Sequence, residues 1–146
     1  MLIMGVPDAE PWFRWEDDVA GQWAQWNTWL VDGLLFDVEH NGFWLPDWGA
    51  QPAELADKQA ITRERFAQAP TIFPLFGHRA MPLMTAPSAT SNMGNPVFSV
   101  WGTDVIIYGN DLADWMHREV DVPLPEWSPD TERVFPFWSE LVERNG

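Results

Sequence analysis

"GNPVFSVWGTDVIIYGNDLADWMHREV", residues Gly94 to Val120, decides the fold class. Val97 to Trp101 and Asp104 to Tyr108 are two runs rich in β-branched and aromatic residues, the composition of strands. Gly102-Thr103 between them is a two-residue connection with glycine first, as a type II′ hairpin prefers. Gly109 ends the second strand. Asn110 or Asp111 then offers a side-chain oxygen to cap a helix. Asp111 and Asp114 place negative charge in its first turn, and His117 and Arg118 fall in its last, as the helix dipole favours. Leu112, Trp115 and Met116 form its expected inner face.

Upstream, the apolar positions from Trp12 to about Leu35 recur at helical spacing, and Gly33 is the expected stop. Leu35, Phe36 and Val38 predict a short extended segment. Asn41-Gly42 is a turn signal, because both residues tolerate positive φ. Phe43, Trp44 and Leu45 read as a second short strand, interrupted by Pro46. Pro52 to Ala69 predicts a helix closed by Pro70, "TIFPLFGHR" reads as a strand, and Met81 to Met93 reads as a surface loop. Val134 to Asn145 predicts a terminal helix with Phe137, Trp138, Leu141 and Val142 inward. Short turn-linked strands among helices predict an α+β domain with a mostly antiparallel central sheet flanked by helices. Residues 1–11 read as a loose leader and 12–146 as a single domain.

The 146 residues are enough for one domain that buries roughly two-thirds of its unfolded surface. The formal charge is −14, from 22 acidic and 8 basic side chains. That balance argues against holding a nucleic-acid backbone or an anionic membrane surface, and it suits a basic protein partner. There is no cysteine, which excludes disulfides and thiolate metal sites and fits a reducing cytoplasm. The N-terminus has no basic start and no long apolar core, so it does not read as a signal peptide.

Few residues ask for chemistry. His40, His78 and His117 lack the i, i+4 spacing of a helical zinc site, so neither metal nor cofactor is expected. No nucleophile elbow or phosphate loop is present. His78-Arg79 is the best catalytic candidate by residue type. The plainer expectation is a structural polar network in which Arg79 reaches a carboxylate such as Glu39 or Asp104. Eleven tryptophans are unusual; most are expected in the core, with one or two left over for a partner, and those near proline, glycine or charge read either as staples that pin loops to the core or as a partner-binding patch. Trp44, Trp48 and Trp101 are the candidates. Trp12, Trp15 and Trp127 are similarly placed near proline, glycine or charge.

"FGHR", the loop after it, and "GNPVFSVWGTDVIIYGNDLADW" together resemble the signature of the Smi/Knr-type branch of the SUKH superfamily. "GLLFDVEHNGFWLPDWG" and "FPFWSELV" are similar to its flanking blocks. The matched positions are Asn41, Gly42, Phe43, Trp44, Gly77, His78, Arg79, Asn95, Pro96, Thr103, Asp104, Tyr108, Gly109, Asn110, Asp111 and Leu112. The resemblance implies an α+β fold and a non-catalytic protein-binding function, typically an immunity protein that neutralises a bacterial toxin, often a nuclease. A small hydrolase-type enzyme using His78 with a carboxylate, and a regulatory interaction scaffold, are the alternatives.

Overall fold

The computed structural model describes residues 14, 16–83, 94–124 and 133–146. The expected leader, Trp12, Trp15, Trp127 and most of the Met81–Met93 loop lie outside them. Helix α1 (Val19–His40) begins at Asp18, whose carboxylate accepts the N–H of Gly21 at 3.0 Å. A Cβ on Gly21 would overlap that carboxylate, so glycine makes room for the cap. The expected stop at Gly33 does not occur, and the extended segment expected at 35–38 is helical. Trp26, Trp29, Leu30, Gly33, Leu34 and Val38 form one continuous buried stripe at helical spacing, and this burial outweighs the roughly 1 kcal/mol cost of a mid-helix glycine. The helix ends at Asn41, whose N–H reaches the Asp37 carbonyl, and Gly42 follows with φ of 63°.

The strand expected at Phe43–Leu45 is absent. That segment runs irregularly into a single 3₁₀ turn, Pro46–Trp48, held by the Trp44 indole N–H donating to the Gly49 carbonyl. Phe43, Leu45 and Trp48 are buried, so the apolar run serves the core without pairing. Helix α2 (Leu55–Gln68) gives way to extended backbone at Ala69, the conformation that Pro70 imposes on its predecessor.

Four strands follow: β1 (Ile72–Phe76), β2 (Arg79–Pro82), β3 (Val97–Trp101) and β4 (Asp104–Gly109). They form one sheet in the order β1-β2-β3-β4, every neighbour antiparallel. "TIFPLFGHR" is therefore a hairpin, with Gly77 at φ 54° in its turn, and not one strand. Helix α3 (Leu112–Val120) follows β4, capped as expected: Asp111 accepts the N–H of Asp114 at 2.7 Å. Helix α4 (Trp138–Asn145) starts later than Val134, because Phe137 sits at φ 73°, outside helical backbone. Its ring stacks on Trp48 and meets Phe66 and Trp138 edge-on, and that packing holds the unusual backbone in place. The observed fold is α+β, with the core formed where α1, the 43–48 segment and α4 meet Phe98, Val100 and Val105 of the sheet.

Candidate functional site

The register of the sheet places the site. Arg79 pairs with Ser99, Ser99 with Ile106, and Trp101 with Asp104. Cross-strand partners share a face and side chains alternate along each strand. Arg79, Ser99, Trp101, Asp104, Ile106 and Tyr108 therefore lie on the face opposite the one that packs Ala80, Phe98, Val100 and Val105 into the core.

Arg79 is the hub of this face. Its guanidinium donates to the Ser99 hydroxyl at 2.8 Å, stacks 3.8 Å over the Tyr108 ring and pairs with Glu119 of α3 at 3.6 Å. That last separation makes an ion pair and exceeds hydrogen-bond length. The pair is largely shielded, with side chains 15% and 14% exposed. Glu119, and not Glu39 or Asp104, is thus the carboxylate that Arg79 reaches. Trp115, one helical turn before Glu119, is buried against Gly109: a Cβ on Gly109 would come within 2.8 Å of the Trp115 backbone. Gly109 thus lets the helix approach closely enough for Glu119 to meet Arg79. Met116 is half-buried, whereas Leu112, expected inward, is exposed at the first position of the helix.

Arg79 also contacts His78 Nε2. A guanidinium has no acceptor, so Nε2 accepts and the imidazole is neutral with its proton on Nδ1. Burial lowers the His78 pKa, and the Arg79 charge lowers it further against an opposing pull from Glu119. The lone pair that a general base would use is engaged by arginine. The His78 ring meets Trp101 at 5.7 Å and 87°, and Trp101 in turn meets Trp29 of α1 at 5.7 Å and 77°.

The tip of the β3–β4 hairpin is pinned to α1 by Asp37. Its Oδ2 accepts both the N–H and the hydroxyl of Thr103, at 2.8 and 2.9 Å, while Oδ1 accepts from Asn41 at 2.6 Å. Gly102 has φ of 59°, as the first position of a type II′ turn requires. A Cβ there would lie 2.5 Å from the Asp37 carboxylate and 3.4 Å from the Gly33 carbonyl. Two distant sequence blocks, around Asn41 and Thr103, therefore share one carboxylate. Asp37, Ser99 and Glu119 were not legible as site residues, because each acquires its role only from a partner 20 or more positions away.

The three candidate anchors separate. Trp101 is 43% exposed, beside Ile106 at 45%. Trp44 is half-buried with its indole N–H committed to Gly49. Trp48 is 6% exposed and stacked in the core, which corrects its reading as a surface anchor. Phe43 is buried beneath the Arg144 guanidinium, 4.3 Å from its centroid. Asn95 is buried and donates to the Pro82 carbonyl at 3.1 Å, tying the end of β2 to the start of β3 beside buried Pro96. The Asn110 N–H is held by Asp114 at 2.8 Å. Burial alone would raise the Asp114 pKa, but that N–H and the Arg118 guanidinium outweigh it and keep the carboxyl below its ordinary value.

Elsewhere, a cleft of about 150 Å³ lies where α1 faces the α2–β1 connection, lined by residues such as Trp23, Asn27, Phe66, Pro70 and Trp138. None of its lining side chains is ionisable. Among the described residues no group of three or more His, Asp or Glu is placed to hold a metal ion, and no helix is long and apolar enough to cross a membrane. No family model matches the chain, and neither a curated protein nor a solved structure does.

Proposed function

We propose that this chain is a non-catalytic protein-binding domain that neutralises a bacterial toxin carrying a basic, nucleic-acid-binding groove. The observation that carries the reading is the outer face at the β3–β4 tip. There Trp101 and Ile106 stand exposed on the same face of a hairpin whose turn is bound by Asp37, on a chain of charge −14. An exposed aromatic anchor held by its neighbours, on a chain of net negative charge, suits a basic partner. The resemblance to SUKH immunity proteins points the same way. A nuclease must hold phosphates with Lys and Arg, so its groove is complementary in charge.

His78 supports this reading over a hydrolase. Its Nε2 is occupied by Arg79, and the nearby carboxylate, Glu119, is paired with the same arginine. The cluster contacts Trp101 and α3, and among the described residues it leaves no free acid–base pair.

The test is capture from native-cell lysate on the immobilised chain, followed by mass spectrometry and titration of the captured protein's activity. A toxin domain whose nuclease activity is abolished at about one equivalent is the expected outcome. Capture of no toxin, together with turnover of a small substrate that is lost in His78→Gln, would replace this reading with an enzymatic one.

A further inference from the structure

On the outer sheet face, Arg79 is neutralised internally. Arg79 is shielded and committed to Glu119, Ser99, Tyr108 and His78. Its charge is not presented outward. Among the described strand residues of this face, Trp101, Asp104 and Ile106 are the exposed ones. Trp101 and Asp104 are direct cross-strand partners flanking the two-residue turn, and Ile106 follows Asp104 on the same face. Asp104 makes no ion pair among the described residues, and Trp101 is held from behind by His78 and Trp29.

An exposed indole, a free carboxylate across from it and an aliphatic side chain alongside are the three surfaces of an extended arginine. The guanidinium plane stacks on the indole, its N–H fork meets the carboxylate, and the propyl stem lies over the isoleucine. We propose that Trp101, Asp104 and Ile106 form a cradle for an arginine side chain contributed by the protein partner. This deepens the binding reading above and rests on it for the identity of the partner. Arginine is favoured over lysine because the planar group can stack and donate in a fork at once, which an ammonium cannot.

The probe is the blocked tripeptide acetyl-Gly-Arg-Gly-amide, with lysine and citrulline counterparts, titrated into the full chain. The readout is the indole N–H resonance of Trp101, assigned by its loss in Trp101→Phe. Citrulline keeps the planar shape and removes the charge. The expected result is a saturable shift, strongest for arginine and weaker for both lysine and citrulline. Asp104→Asn, at an exposed position, should weaken the arginine peptide about two- to fivefold, the range of an exposed ion pair, and leave citrulline unchanged. No shift of Trp101, equal affinity for arginine and citrulline, or unchanged arginine affinity in Asp104→Asn would each overturn the cradle. A toxin captured equally by parent and Asp104→Asn chains would overturn it while leaving neutralisation standing. A parent chain that binds the arginine peptide but captures no toxin would remove the neutralisation reading and leave the cradle.

Discussion

Arg79 and Gly109 show how single positions set the site. Arg79→Ala would leave Glu119 shielded without its cation and strip Tyr108 of its stacked partner. Loss of one member of such a pair costs about 3 kcal/mol or more when it is well shielded, so chemical denaturation should show that loss before any binding defect is separable. A variant as stable as the parent would show that the network contributes nothing. Gly109→Val places a branched side chain against the Trp115 backbone and should destabilise by about 1–3 kcal/mol; an unchanged melting temperature would contradict the close approach. His78 gives a pH signature. Its folded pKa lies below the unfolded value, so between the two the unfolded chain binds more protons and stability falls as pH drops through about 6.5. Below the folded pKa the loss is complete and constant. His78→Gln should flatten that part of the stability–pH curve, and an unchanged curve would mean that another group titrates there.

Elements are joined here by a few charged atoms at their ends. The β3–β4 hairpin reaches α1 through Asp37, which serves Thr103 twice and Asn41 once. Asp37→Ala strands those donors and should cost about 1–3 kcal/mol, with hydrogen-exchange protection lost first at the hairpin tip. Uniform loss across the sheet would show that the tip is not separately held. The β3–β4–α3 unit itself was legible from composition and turn chemistry, because its hairpin glycine and its cap act over two to four residues. The hairpin at Gly77 was hidden, because Pro74 and a bulge between Pro74 and Phe76 blur its strand pattern. The far end of α1 was misread because Gly33 resembles a stop while the buried stripe passes through it.

At the scale of the whole molecule, the proposed reading makes charge set how a basic partner would be approached and the exposed face set where it would land. With a net charge of −14, association with a basic domain should slow steeply as salt rises, since the screening length is only about 8 Å at physiological ionic strength. A salt-independent association rate would remove electrostatic steering from the account. The two tryptophans once alike in sequence should then part company. On the proposed reading, Trp101→Ala should accelerate dissociation of a toxin domain that the parent chain captures. Trp48→Ala should instead destabilise the fold by about 3–5 kcal/mol, because it empties a stacked core position. Equal effects of both on stability would contradict this division.

By itself the sequence determined whatever depends on near neighbours: the II′ turn at Gly102-Thr103, a helix cap at Asn110 or Asp111, the break at Pro70, the acidic field and the α+β class. These follow from backbone sterics, short-range hydrogen bonding and composition, which the local order of residues contains. Only the tertiary structure decided which tryptophan is buried, that Glu119 rather than a nearer carboxylate meets Arg79, and that Asp37 joins the Asn41 and Thr103 blocks. Those outcomes depend on which faces meet after α1 crosses the hairpin and α3 settles on Gly109. Trp48 and Trp101 sit in similar local company, and their different fates come from packing between segments far apart in the chain.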